Sequence, residues 1–77
     1  MKTEISDIRN ILNNVFKNST IPDDVINLQI GDLKEWDSLG NFNFLLEVEN
    51  FYGIRFELDE ISEIKSVKDV LTYLEKC

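Results

Sequence analysis

The chain has 77 residues and a formal net charge of −7, with 15 acidic side chains, 8 basic ones and no histidine. A chain this short has room for one small core, so we expect a single domain, 1–77. Phosphate binding needs clustered lysine and arginine, which argues against a nucleic-acid partner. No apolar run approaches the ~20 residues of a membrane helix, and no basic start leads into an apolar secretory signal. Cys77 is the lone cysteine, which excludes an internal disulfide and favours a cytoplasmic monomer with a frayed terminal thiol.

The acidic side chains are concentrated in the middle of the sequence. Eleven acids face two bases between Asp23 and Glu63, a net charge of −9, whereas the two ends together carry +2. Such a surface either keeps a small protein soluble or steers it toward basic partners.

The first predicted helix spans Thr3 to Lys17, with Thr3 as its N-cap. Its apolar stripe recurs at three- and four-residue spacing and comprises Ile5, Ile8, Ile11, Leu12, Val15 and Phe16. Residues 18 to 36 show no helical periodicity. We therefore expect a long loop laid across the core, with a short turn near Asp23–Val25. Trp36 is expected to anchor the end of this loop in the core.

The second predicted helix runs from Leu39 to Tyr52 and ends at Gly53 as a C-terminal cap. One face is expected to meet the core and comprises Phe44, Leu45, Val48, Phe51 and Tyr52. A neighbouring stripe of Leu39, Phe42 and Leu46 has two interpretations. Either the buried arc is wide and includes Phe42, or the leucines stay exposed as contacts for partner proteins.

The last third of the chain predicts two more helices. The alternating apolar residues from Ile54 to Leu58 have no second strand to pair with, so we expect an extended linker. A short helix is predicted over Asp59–Ile64. The sequence Ser66-Val67-Lys68-Asp69 resembles a capping box that starts the final helix, whose core stripe is Val67, Val70, Leu71 and Leu74. The expected fold is all-α: a small four-helix bundle of three main helices and one short helix, with a long first loop.

Ser38 lies at the mouth of the second helix, beside Asp37. Without a histidine it cannot be the nucleophile of a Ser-His-Asp enzyme, so we expect no catalytic residues. Two interpretations remain. Ser38 is either an ordinary helix cap, a role that Asp37 could equally fill, or a hydroxyl that another enzyme modifies at the positive end of a helix. Calcium binding by Asp32, Glu35 and Asp37 is excluded by their spacing, and no metal site is predicted.

The order of motifs resembles an acyl carrier protein over nearly the whole chain, from about Ile5 to Leu74. The resemblance is carried by Asp37-Ser38-Leu39-Gly40, the apolar helix to Tyr52-Gly53-Ile54-Arg55-Phe56, Asp59-Glu60-Ile61 and Ser66-Val67-Lys68-Asp69-Val70. It implies that a phosphopantetheinyl transferase attaches 4′-phosphopantetheine from coenzyme A to Ser38. The arm would then carry an acyl or aminoacyl group as a thioester, loaded by a ligase or transferase.

The resemblance also implies a docking surface for basic patches on partner enzymes. Its residues would be Asp37, which helps to bind the transferase and its magnesium ion, and Leu39, which enters a pocket on the transferase, together with Phe42, Leu46, Glu47 and Glu49. Gly40, Asn43 and Asn50 depart from fatty-acid carriers, which have more acids on this helix. Gly40 and Trp36 are more similar to carriers of specialised pathways, including polyketide, lipopeptide and surface-polymer systems. The alternative is a small acidic helical adaptor or inhibitor without a prosthetic group.

Overall fold

Four α-helices and one short 3₁₀ turn make up the regular structure in a computed structural model that describes residues 3–76. The helices are α1 (Ile5–Val15), α2 (Ser38–Tyr52), α3 (Leu58–Glu63) and α4 (Val67–Glu75), and the 3₁₀ turn is Val25–Asn27. The predicted all-α fold of three longer helices and one short one, with a long first connection, is confirmed. No helix formed by these residues is long and apolar enough to cross a membrane. The prediction for Cys77 falls outside the described residues.

The core forms where α1 packs against α2 and the long connection closes over them. Phe16, just after α1, stacks on Trp36 with ring centroids 5.5 Å apart, and Trp36 meets the edge of Phe44 in α2 at 5.3 Å. Such aromatic pairs stabilise beyond their buried area. One continuous cluster contains the buried apolar side chains Ile8, Ile11, Leu12, Phe16, Ile21, Val25, Leu28, Leu33, Trp36, Phe44, Leu45, Val48, Phe56, Ile64, Val67, Val70 and Leu74. The predicted anchoring of Trp36 is confirmed.

The ends of α1 lie inside the predicted limits. Thr3 is not its cap: Glu4 occupies that position, and its carbonyl oxygen accepts the N–H groups of Asp7 and Ile8. The Glu4 side chain makes no capping hydrogen bond. The helix ends at Val15, and the next residue, Phe16, turns its ring into the core. Burial of that ring, more than local helix propensity, sets where α1 stops.

The last turn of α2 corrects the predicted core face. Phe51 is 52% exposed, whereas Tyr52 is half-buried against the core. At about 100° per residue Phe51 lies roughly 60° from Val48, at the margin of the buried face, while Tyr52 follows Val48 at i+4. Gly53 ends the helix with a left-handed φ of 67°, as predicted.

Polar contacts attach the long connection to α1 and to the segment before α4. The guanidinium of Arg9 donates to the carbonyl oxygens of Pro22 at 2.6 Å and Ile21 at 3.2 Å, and forms an ion pair with Asp23 at 3.4 Å. Farther along, one isolated antiparallel bridge joins Gln29 to Ser66. These contacts explain how a segment without helical period stays ordered across the core. The sequence analysis did not anticipate the bridge.

The second half of the chain uses polar caps at each helix start. The Glu57 N–H donates to Glu60 Oε1 at 2.7 Å, before α3. Ser66 Oγ accepts the Asp69 N–H at 3.0 Å, as predicted for the start of α4. The Asp69 carboxylate accepts from the N–H of Lys65 at 3.1 Å, one residue before the partner that a regular capping box would use. The side chains of Ser66 and Asp69 therefore fix the backbone where the chain enters α4.

Tyr52 is the one described residue with a buried side-chain oxygen that has no hydrogen-bond partner. Its hydroxyl lies near the start of α1. Burial raises the pKa of Tyr52 above 10.0, with smaller contributions from the negative charges of Asp7 and Glu4. By contrast, the Tyr73 hydroxyl lies 3.3 Å from both the Arg55 carbonyl oxygen and Glu60 Oε1.

These two tyrosines predict opposite effects of removing a hydroxyl. Tyr52→Phe deletes an unpaired buried oxygen, so we expect the free energy of unfolding to stay unchanged or rise by about 1 kcal/mol. Tyr73→Phe deletes a bonded hydroxyl and is expected to lower it by about 1 kcal/mol. Urea denaturation followed by circular dichroism measures both. A loss for Tyr52→Phe as large as that for Tyr73→Phe would contradict the prediction.

Candidate functional site

Ser38 is the first residue of α2 and is exposed to solvent. The residue before it, Asp37, has an extended backbone and caps the helix: its Oδ1 accepts the Gly40 N–H at 2.8 Å. The Asp37 carbonyl oxygen accepts the Asn41 N–H, also at 2.8 Å. Among residues 3–76 the Ser38 hydroxyl has no hydrogen-bond partner. The capping role is therefore filled by Asp37, and the interpretation of Ser38 as the helix cap is wrong.

A tight turn immediately precedes α2. Gly31 has a φ of 93°, a conformation that favours glycine, and its N–H donates to the Trp36 carbonyl oxygen at 2.8 Å. The Asp32 carboxylate accepts the Gln29 N–H at 3.0 Å, which fixes the start of the same turn. The turn closes directly before Asp37 and so holds the backbone at the entrance to α2.

A buried amide connects the turn, α2 and the segment before α4. Asn41 is 6% exposed; its Oδ1 accepts the indole N–H of Trp36 at 2.9 Å, and its Nδ2 donates to the Ile64 carbonyl oxygen at 2.7 Å. The indole can only donate and the carbonyl can only accept, so the two partners dictate the orientation of the amide. The sequence analysis missed Asn41. Its position four residues before Leu45, on the buried stripe of α2, was the available signal.

Gly40 allows α2 to approach the preceding loop closely. A Cβ on Gly40 would lie far inside van der Waals contact with the Glu35 carbonyl oxygen and 3.1 Å from the ring of Phe16. The Glu35 carboxylate holds the other end of that loop by accepting from the Asn18 N–H and the Ser19 hydroxyl, each at 2.9 Å. Close packing therefore explains why position 40 is a glycine, whatever the pathway in which the protein works.

The predicted apolar stripe of α2 is exposed, but its members border different grooves. Leu39 is 69% exposed and Leu46 39%, and both border grooves shared with the end of α1 at Val15. Phe42, 41% exposed, borders a different groove of about 200 Å³ together with Ser38. Phe42 is therefore not a core residue, and it does not share a groove with the two leucines.

The three predicted recognition acids have different surroundings. Asp37 is exposed but uses one oxygen as the helix cap. Glu49 is half-buried, and its Oε2 accepts the Phe56 N–H at 2.5 Å, which ties α2 to the following linker. Glu47 is exposed, and it lines the groove that holds Leu46. Within residues 3–76, Glu47 is the one of the three with no hydrogen bond.

The arrangement presents an exposed hydroxyl at the start of a helix. Ser38 stands at the N-terminus of a 15-residue helix, where the first backbone N–H groups carry partial positive charge. The adjacent Asp37 carboxylate accepts the Gly40 N–H through Oδ1, and the chain has no histidine that could act as a base. No protein-family model, curated protein or solved structure matches this chain.

The different roles of Asp37 and Ser38 at the start of α2 give a stability prediction. Asp37→Ala removes the cap and is expected to lower the free energy of unfolding by about 1 kcal/mol. Ser38→Ala removes an unbonded, exposed hydroxyl and is expected to change it by less than about 0.5 kcal/mol. Urea denaturation of both variants measures the difference. A larger loss for Ser38→Ala would mean that the serine is the cap.

Gly40→Ala gives a second prediction. In a helix interior this change ordinarily adds about 1 kcal/mol of stability, but the clash with the Glu35 carbonyl should reverse the sign and cost about 2 kcal/mol or more. Asn43→Ala, at an exposed position one turn away, is the matched control and should be neutral or slightly stabilising. Thermal unfolding followed by circular dichroism compares them. A stable Gly40→Ala variant would contradict the close approach.

Proposed function

We propose that this protein is a carrier of the acyl carrier type: a non-catalytic tether that holds acyl or aminoacyl intermediates on a 4′-phosphopantetheine arm attached to Ser38. The observation that carries the proposal is the separation of roles at the start of α2. Asp37 makes the capping hydrogen bond, and Ser38 is exposed and unbonded beside it. A serine without a structural role at this position is available as an acceptor.

The residues around Ser38 suit a phosphate ester. The first N–H groups of α2 favour negative charge close to the serine. The groove that begins at Ser38 is walled by the apolar side chains of Ile30, Phe42 and Ile61, and Lys65 adds a positive charge to its lining. The arm has a charged phosphate where it joins the serine and a less polar pantetheine part beyond it, and this lining suits both. When bound, the arm supplies a terminal thiol that holds the cargo as a thioester.

The transfer needs a second protein. The Ser38 oxygen forms a bond to the phosphorus that carries the pantetheine in coenzyme A, the pyrophosphate bond breaks, and 3′,5′-adenosine bisphosphate leaves. The serine proton passes to a base of the phosphopantetheinyl transferase, because this chain has no histidine and in this proposal the open oxygen of Asp37 is left to the magnesium ion. The second Asp37 oxygen makes no hydrogen bond and is open to the transferase and its magnesium ion.

The neighbouring surface supports docking of partner enzymes. Leu39 and Leu46 stand exposed one and eight positions after Ser38, and Glu47 adds an unbonded carboxylate beside them. Weak, electrostatically guided contact of this kind suits a tether that visits a loading enzyme and several later ones. The tether itself acts by effective concentration, since a flexible arm keeps the intermediate close to each docked enzyme.

The test is direct modification. Incubated with coenzyme A, magnesium and a broad-specificity phosphopantetheinyl transferase, the wild-type protein should gain one phosphopantetheine group by intact mass. Ser38→Ala should gain none, because its acceptor oxygen is gone, whereas Ser62→Ala should be modified like wild type.

Ser62 is the matched control because it lines the same groove, and its hydroxyl donates to the Asp59 carbonyl oxygen at 2.8 Å. If the wild-type protein stays unmodified, or Ser38→Ala is modified as well, the carrier function is wrong. An adaptor or inhibitor without a prosthetic group would then be the better explanation of the exposed leucines and the negative charge.

A further inference from the structure

We infer that the group carried on Ser38 stays outside the helical core, because Asn41 closes the core at the floor of the Ser38 groove. The chemical class of cargo that this favours is a short or polar acyl group, not a long alkyl chain. The inference rests on the proposed function and concerns what the fold does with the cargo once it is attached.

The geometry at the groove is the first step. Ser38 and Asn41 line the same groove, three residues apart on α2, with Phe42 and Ile61 as walls. Both ends of the Asn41 amide are occupied, one by the Trp36 indole and one by the Ile64 carbonyl oxygen. The floor of the groove is therefore a bonded polar group that links the loop, α2 and the segment before α4.

The packing behind this floor is the second step. Trp36 is 1% exposed and lies between the rings of Phe16 and Phe44, with centroid distances of 5.5 and 5.3 Å. An alkyl chain on the thiol of the arm, if it entered the core through this groove, would have to displace the indole and break its bond to Asn41. That leaves a buried indole N–H and a buried amide oxygen unpaired, which opposes the gain from burying methylene groups.

The balance between these effects depends on chain length. Each methylene that reaches an apolar interior stabilises the loaded protein further, whereas a methylene left in solvent does not. When the arm folds back so that its thiol end lies at this groove, the walls of Ile30, Phe42 and Ile61 can cover the first few carbons of the cargo. Beyond them a longer chain meets the Asn41 floor and continues into water, so its extra length brings no stability.

The experiment loads Ser38 with a series of acyl groups and measures melting temperature. The transferase and acetyl-, butanoyl-, octanoyl- and dodecanoyl-coenzyme A give four loaded forms, each verified by intact mass. We expect the melting temperature to level off after butanoyl. A chain entering the core would instead raise it by about 3–6 °C per buried methylene.

A second measurement reports on the floor itself. Trp36 is the single tryptophan, so its indole N–H resonance is an unambiguous probe of the bond to Asn41. We expect the same chemical shift in the acetyl and dodecanoyl forms. A melting temperature that keeps rising to dodecanoyl, or an indole resonance that moves with chain length, would overturn the inference while leaving the carrier function intact. Failure to load Ser38 at all would overturn both.

Discussion

The amide of Asn41 is the interaction on which the arrangement around Ser38 depends. It joins three segments that are distant in sequence: the end of the long connection at Trp36, the first turn of α2, and the backbone at Ile64 that leads into α4. In a low-dielectric interior a fully satisfied polar group is strong and directional, whereas an apolar contact tolerates sliding. One side chain thus fixes the rotation of α2 about its own axis relative to the rest of the core.

That rotation explains which residues of the first turn are left free. Asp37 caps the helix, Gly40 meets the Glu35 carbonyl oxygen, and Asn41 is buried. With 3.6 residues per turn, Leu39 lies about 160° from Asn41 and faces away from the core, whereas Ser38 lies about 60° from Asn41, at the edge of the groove that Ser38 and Asn41 line. Both Ser38 and Leu39 are exposed. Their exposure is the strongest physical support for an acceptor hydroxyl with an apolar contact beside it.

Periodicity in the sequence was sufficient to predict the helices, because apolar residues at three- and four-residue spacing fall on one face of an α-helix. The size and apolar character of Trp36 were enough to predict its place in the core, whereas the exposure of Leu39 and Leu46 was one of two interpretations that the sequence left open. Periodicity failed where a single residue departs from its stripe for a tertiary reason. Phe51 is apolar but 52% exposed, at the margin of the buried face, and Asn41 is polar but buried with two partners.

Contacts between residues distant in sequence were the other feature that could not be predicted from the sequence. The bridge between Gln29 and Ser66 joins residues that have no local pattern in common, and its backbone hydrogen bonds carry no side-chain signature. The choice between Asp37 and Ser38 as the cap was open for a similar reason. Both types cap helices well, and only the observed backbone entry at Asp37, set by the turn from Gly31 to Trp36, distinguishes them.

The acidic character of the middle segment has two separate physical roles. Several carboxylates are already bonded to backbone N–H groups, including those of Asp32, Asp37 and Glu49, so they stabilise turns and helix ends. A hydrogen-bonded carboxylate nevertheless keeps its charge, and a long-range potential depends on charge alone. The same acids can therefore shape the fold and contribute to a field that attracts basic partners over about 10 Å before salt screens it. On α2, the carboxylate without a hydrogen bond to residues 3–76 is that of Glu47, beside Leu46, and the proposed carrier function would use it for direct contact.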